Sequence, residues 1–358
     1  MEQKTNESMK IDRPKLIIVV SALIVMTGLV ATCIFGMRYY RYARHNFTAR
    51  DGEQHEYYIY PGMTQDKLTK MLSADYEIAS MDAWVRDCKR LRMDTIRPGH
   101  YTVAARTANR RLIRMFSRGE ETPVRLTFNN SIRTRQQLCG RLSESLMLDS
   151  ATLNQYMDSV PFLKKYGMTP ETAVCLFIPN TYEVYWSMTP EQLFDRMQKE
   201  YQRFWNKERM AKAKALGLTP QEVATLASIV EGETYRTEEH PIIASLYLNR
   251  LHLDMPLQAC PTVIFAVGDF TMHRVLNKHL ETDSPYNTYK HTGLPPGPIR
   301  LPQPSALDAV LNAPRTNYLF MCANPDFSGT HVFSETAAQH ERVAREYRRQ
   351  LNQRNIKK

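Results

Sequence analysis

An uninterrupted apolar run, Leu16 to Met37 (LIIVVSALIVMTGLVATCIFGM), constrains this chain more than any other feature. Its 22 residues carry no charge. At ~1.5 Å rise per residue a helix of that length crosses a hydrocarbon core ~30 Å thick. A cleaved secretory signal would have an apolar stretch of only ~7–15 residues before a small-residue cleavage site. Here Arg38-Tyr39-Tyr40-Arg41-Tyr42 follows directly, an aromatic and basic stretch suited to a membrane interface. The expectation is a short tail over 1–15, an uncleaved transmembrane helix over 16–37 and a juxtamembrane linker over 38–52. Lys4, Lys10, Arg13 and Lys15 precede the helix, and Arg38, Arg41, Arg44 and Arg50 follow it. That near balance leaves the orientation open, because a long following domain can translocate largely regardless of charge.

The remaining length is ample for two or three compact domains. A net charge of +10 points to a negatively charged partner, whether nucleic acid, anionic lipid or an acidic polymer. No nucleic-acid module is present: there is no zinc-finger spacing, basic zipper or aromatic RNA-binding motif. The six cysteines (33, 88, 139, 175, 260 and 322) include no C-x-x-C pair. With Cys33 inside the apolar run, an odd number remains, which argues against a disulfide scaffold or a structural zinc and for buried free thiols. H-E-x-x-H, the P-loop, G-x-G-x-x-G and G-x-S-x-G are all absent, so no metal or cofactor is expected.

Tyr57 to Tyr60 reads as a strand, Pro61-Gly62 as a turn, and Thr64 as the cap of a helix through Leu72. A second helix over Met81–Leu91 and a turn at Arg97-Pro98-Gly99 lead into a strand ending at Val103. This strand–helix–helix–strand order over 53–104 resembles a LysM-like fold, a small glycan-binding module. The rest, 105–358, reads as a mixed α+β region, making the whole chain α+β. Helices are expected over Thr107–Phe116, Ser131–Leu142 and Leu153–Met157, with a strand at Val124–Phe128. Thr169-Pro170-Glu171, Thr189-Pro190-Glu191-Gln192 and Thr219-Pro220-Gln221-Glu222 each place Thr at an N-cap and Pro at N1. The last two predict helices over 190–212 and 220–233. Leu251 to Ile299 is loop-rich. A helix near Ser305, a hairpin (Tyr318–Cys322 with His331–Ser334) and a basic amphipathic helix from Thr336 complete the chain.

The helix opened by Thr219 carries the most informative carboxylate. Val223, Leu226, Ala227 and Val230 form a buried stripe at helical spacing. Ala224, Ala227, Ser228 and Glu231 recur every three or four residues, placing Glu231 at the edge of that stripe above small side chains. A carboxyl there is partly desolvated, which raises its pKa and suits it to donate a proton. The alternative is a salt-bridged or capping Glu near a helix end.

The stretch Ala227-Ser228-Ile229-Val230-Glu231-Gly232-Glu233-Thr234 resembles the signature of the endolytic murein transglycosylases, the YceG-like family. So do Ile243-Ala244-Ser245 through Asn249-Arg250-Leu251, and Leu257-Gln258 with Pro261-Thr262-Val263-Ile264. The likeness continues in Ser284-Pro285-Tyr286-Asn287-Thr288-Tyr289 and Gly293-Leu294-Pro295-Pro296-Gly297-Pro298-Ile299. Leu176 to Tyr182 and His331-Val332-Phe333-Ser334 resemble further elements of the family.

The resemblance implies that Glu231 is catalytic. Its acid would protonate the glycosidic oxygen between N-acetylmuramic acid and N-acetylglucosamine, then act as base on the muramoyl 6-hydroxyl to close a 1,6-anhydro ring. Such an enzyme is a lyase and needs no second carboxylate, unlike ordinary glycosidases. Glu233 is the nearest competitor, able to orient the site or hold the helix end. Gln258, Thr262, Tyr286, Asn287, Thr288 and Tyr289 carry groups suited to sugar, or equally to loop-fixing hydrogen bonds. The implied setting is the inner membrane, with the catalytic part on the periplasmic side. Glycan strands would be the substrate, and peptidoglycan synthases the partners. A non-catalytic glycan-binding scaffold and a conventional water-using muramidase are the competing readings. Three departures stand out: Gly232 where the family commonly has Lys, loosening the helix end; Ala259-Cys260 for Ser or Thr followed by Asp; and Asn180 for Asp.

Overall fold

The computed structural model describes residues 13–354 apart from His273; residues 1–12 of the expected tail, with Lys4 and Lys10, and residues 355–358 lie outside the described residues. Helices account for more of the chain than strands, and the described chain divides into two compact units at Pro123/Val124.

In the first unit, helix α1 (Arg13–His45) contains the apolar run. Every residue from Leu16 to Met37 is exposed, so this stretch is long and apolar enough to cross a membrane and has no protein surface covering it. Beyond it come β1 (Phe47–Ala49), β2 (His55–Ile59), α2 (Gln65–Asp75), β3 (Tyr76–Ile78), α3 (Met81–Arg90), β4 (Gly99–Val103), β5 (Arg106–Thr107) and α4 (Asn109–Arg118). Thr64 caps α2 by accepting from Lys67 N–H, and Ser80 caps α3 by accepting from Ala83 N–H. Strands β2 and β4 pair antiparallel with Tyr57 opposite Tyr101. The expected two strands and two helices are present as β2, α2, α3 and β4, but the unanticipated β3 lies between the helices and joins a second sheet, β3-β1-β5. Trp84, Tyr76, Tyr101, Leu68 and Phe116 are fully buried in the core, Phe116 reaching it from α4.

The second unit opens with β6 (Val124–Phe128), α5 (Arg135–Ser145), α6 (Ser150–Asp158), α7 (Val160–Leu163) and β7 (Asn180–Val184). Strands β6 and β7 pair antiparallel, and the alternating Leu126, Phe128, Tyr182 and Val184 turn inward. There follow α8 (Pro190–Phe204), α9 (Lys207–Ala215), α10 (Pro220–Glu233), α11 (His240–His252), α12 (Cys260–Val267), α13 (Asn277–Leu280), α14 (Pro304–Leu311), β8 (Phe320–Ala323), β9 (His331–Ser334) and α15 (Ala337–Gln353). Thr189–Gln192, Thr219–Glu222 and Thr336–Gln339 form complete capping boxes. Helix α10 is the axis of this unit: Val223 to Glu231 are all buried, against α14, α11 and α12.

Four expectations are corrected. The 190–212 helix is two, broken at Trp205-Asn206, where the Asn206 side chain caps α9 through Arg209 N–H. Thr169-Pro170 opens no α-helix, because Thr169 and Thr172 bond each other in a local turn. The helix expected from Ser131 starts at Arg135: Thr134 and Gln137 form its capping box, and Asn129 turns the preceding chain by accepting from Ser131 N–H. The apolar residues of α10 form a core on all sides instead of a stripe. Of the cysteines, Cys88, Cys139 and Cys175 are buried free thiols, whereas Cys260 is exposed and Cys322 half-buried.

Candidate active site

Glu231 ends the buried stretch of α10, one turn beyond Ser228 and Ala227. Ser228 Oγ accepts from Ile299 N–H at 3.0 Å and donates to Thr225 O at 2.7 Å. The small residues before Glu231 thus seat the Gly293–Ile299 turn, which in turn places Arg300 and Gln303 beside the carboxylate. Glu231 Oε2 accepts from Gln303 N–H at 3.2 Å, and Oε1 accepts from the Asn130 side-chain amide at 2.9 Å. Asn130 comes from the loop that replaces the expected helix start. The Leu301 N–H donates to Ile132 O at 2.9 Å and ties that loop to the one carrying Arg300. Glu231 is 8% exposed. It forms no ion pair among the described residues, so the salt-bridged alternative does not describe it.

Burial raises the Glu231 pKa above the ordinary carboxylate value; the Gln303 N–H, the Asn130 amide and the Arg300 charge pull the other way without cancelling it. The carboxyl faces a cavity of about 330 Å³ whose wall includes Arg133, Tyr235, Phe265, Phe270, Ile299 and Arg300. Aromatic faces, two guanidiniums and the carboxyls of Glu231 and Glu233 suit an amphipathic, hydroxyl-rich ligand with a negative group.

Glu233 lies where this cavity and a second one of about 390 Å³ both border it. Tyr247 donates its hydroxyl to Glu233 Oε1 at 2.6 Å, and burial pushes the Glu233 carboxyl up to about 7. The second cavity also takes in Arg250, Gln258, Cys260, Tyr289 and His331. Gln258 is exposed, with a left-handed backbone (φ 52°), and its N–H donates to Thr288 O. Tyr289 Oη lies 3.4 Å from Cys260 Sγ.

Thr262, Asn287 and Thr288 do not line either cavity. Thr262 Oγ1 donates to Ala259 O at 2.7 Å and lies 2.8 Å from Thr288 Oγ1, which accepts from Ala259 N–H. Asn287 donates to Leu280 O and Thr282 O, both at 2.8 Å. These three buried groups fix the 280–289 loop against α12. Tyr286 is half-buried, its ring 4.7 Å from Phe265, and so braces a wall residue of the Glu231 cavity.

The departures have physical contexts. α10 continues through Gly232 to Glu233; a Cβ on Gly232 would sit 2.8 Å from Pro261 Cβ, and the glycine lets α12 approach. Ala259 is fully buried at the start of α12. Asn180 is exposed, its Oδ1 accepting from Thr181 N–H. Arg133, Arg300, Asn130 and Gln303 were not anticipated; the Asn129-Asn130-Ser131 turn chemistry was the available signal for that loop.

The YceG-like family profile matches residues 57–346. The chain belongs to the YceG-like family. An endolytic murein transglycosylase of Bacillus subtilis is 44% identical over 123 residues, covering 34% of this chain and 33% of that protein. One from Streptococcus pneumoniae is 30% identical over 247 residues, covering 63% of this chain and 44% of the other. The YceG-like chain thus matches less than half the length of these curated relatives. A solved YceG-like protein from Listeria monocytogenes aligns with a TM-score of 0.54 at 26% identity, over 81% of this chain and 99% of that one.

Proposed function

We propose that this YceG-like chain is an endolytic murein transglycosylase that cuts the N-acetylmuramic acid–N-acetylglucosamine bond of nascent glycan strands and limits their length. The observation that carries the reading is Glu231: a shielded carboxyl with raised pKa, both oxygens held, facing a cavity with aromatic and cationic walls. The names of the Bacillus and Streptococcus relatives support the same reaction.

In the first step the protonated Glu231 gives its proton to the glycosidic oxygen as the bond from that oxygen to muramoyl C1 breaks. The resulting carboxylate then removes the proton of the muramoyl 6-hydroxyl as O6 bonds to C1. No water is consumed, and Glu231 regains its proton. The Asn130 and Gln303 donors stabilise the carboxylate formed midway and hold it in one orientation. Glu233, half-buried and hydrogen-bonded to Tyr247, supports the end of α10 and the floor shared by the two cavities.

The apolar part of α1 anchors the protein in the inner membrane with the second unit on the periplasmic side, beside the synthases whose product it cuts. The 53–104 segment acts, on this reading, as a LysM-like glycan-binding module.

The test is incubation of full-length protein in detergent micelles with uncrosslinked nascent strands, followed by strand-length analysis. Internal cuts that disappear in Glu231→Gln support the reading. Shortening from strand ends, or no cleavage, counts against it, and the latter leaves the glycan-binding scaffold.

A further inference from the structure

Arg133 and Arg300 reach the Glu231 cavity from loops that are far apart in sequence but directly tied by the Leu301 N–H to Ile132 O hydrogen bond. Each arginine is the chain neighbour of one partner in that bond, so the two side chains start side by side. Among the described residues neither guanidinium is in an ion pair. Arg300 Nε is buried without a hydrogen-bond partner. The Arg133 guanidinium carbon lies over the Phe270 ring, 5.1 Å from its centroid. Burial and the neighbouring Arg133 charge both weaken the hold of Arg300 on its proton, the mark of two like charges sharing a confined space.

Glu231 does not answer this charge. Its two oxygens are already occupied by Asn130 and Gln303, and the acid step requires it protonated. Glu233 also borders the cavity, but its Oε1 accepts from the Tyr247 hydroxyl, and among the described residues neither carboxyl is in an ion pair with Arg133 or Arg300. Planar guanidinium forks fit carboxylates. In a glycan strand of alternating sugars, the muramoyl residue differs from its neighbour by a 3-O-lactyl ether. That substituent ends in a carboxylate, or in a peptide that carries carboxylates. An enzyme that needs the muramoyl C1 and O6 over its acid must read that difference.

We propose that Arg133 and Arg300 form a carboxylate-binding subsite that captures the acidic substituent of the muramoyl sugar and so decides which sugar lies over Glu231. The proposal rests on the transglycosylase reading and names the group by which its substrate is registered.

The experiment measures binding of full-length Glu231→Gln protein in micelles to three strand preparations. These are peptide-free strands with free lactyl carboxylates, the same strands converted to lactyl methylamides, and peptide-bearing strands. Adding Arg300→Gln or Arg133→Gln is expected to weaken binding of carboxylate-bearing strands about ten-fold or more, with methylamide strands unaffected. A loss seen with peptide-free strands assigns the lactyl carboxylate; a loss confined to peptide-bearing strands assigns the peptide. Arg300→Lys, which keeps the charge, is expected to recover part of the loss and controls for folding. An equal loss on methylamide strands, or no loss on any, overturns the proposal. In the cleavage assay on Glu231-containing protein, the arginine variants are expected to raise KM at nearly constant kcat. A fall in kcat with a shifted pH profile and unchanged KM would assign them to Glu231 instead, and overturn the subsite. If the Glu231-containing protein cleaves nothing, the transglycosylase reading fails, while the binding series still decides the subsite.

Discussion

Asn130 donates its side-chain amide N–H to Glu231 Oε1 at 2.9 Å, across a sequence separation of 101 positions. The bond favours the ionised carboxylate, while burial favours the protonated acid, and burial is the larger influence. That balance lets one carboxyl both give and take a proton. In Asn130→Ala the Glu231 pKa rises further, so the alkaline limb of the cleavage pH profile moves to higher pH. Because the carboxyl also loses its orientation, kcat is expected to fall by about 10- to 100-fold. A pH–rate series on the variant measures both; an unmoved alkaline limb contradicts the role given to Asn130.

The two carboxyls of α10 should separate cleanly in activity. Glu231→Gln is expected to cost about 10²–10⁴-fold in kcat with folding intact, as for removal of a general acid–base group. Glu233→Gln keeps an acceptor for the Tyr247 hydroxyl and should retain most of the activity. Single-turnover cleavage by the two variants checks this, and the reverse order would transfer the catalytic role to Glu233.

Glu233 also makes stability depend on pH. Its folded-state pKa of about 7 lies above the ordinary value of ~4.3 for an unfolded chain. The wild-type protein thus keeps its full stability below the unfolded value and loses some as pH rises through about 7. Glu233→Gln removes the loss. The variant is expected to gain on wild type between pH 5 and pH 8, by on the order of 1–2 kcal/mol after solvent screening. Urea unfolding at the two pH values reads the difference, and a gap independent of pH contradicts it.

Gly232→Ala tests the close approach of α12. In an exposed helix the change would stabilise by ~0.5–1 kcal/mol. Here the new Cβ meets Pro261 Cβ at 2.8 Å and Cγ at 3.1 Å, both part of a stiff ring at the start of α12. The expected result is a loss of about 1–3 kcal/mol and a lower melting temperature. An unchanged or raised melting temperature would show that Pro261 yields freely.

The parts of this structure that were legible in the sequence are those specified by neighbours in the chain. The Thr219–Glu222 capping box and the apolar spacing behind it marked α10, and with it Glu231. The three-residue strands β1 and β3 carry too short a pattern to show a period, and the split between α8 and α9 turns on one capping Asn206. Glu231's surroundings were not legible for a different reason. Asn130, Arg133, Arg300 and Gln303 lie in two irregular loops, and only the packing of α10 with the Gly293–Ile299 turn brings them together. Thr262, Asn287 and Thr288 have residue types suited to sugar, but their hydrogen bonds go to backbone and to one another, a partition that type and spacing do not reveal.

The most direct test of Glu231 as sole acid and base is mass spectrometry of the new strand ends released by the full-length protein. Elimination through the muramoyl 6-hydroxyl gives 1,6-anhydromuramoyl ends, lighter by one water than hydrolysed ends and absent from the Glu231→Gln digest. Hydrated reducing ends would contradict it and identify a water-using muramidase.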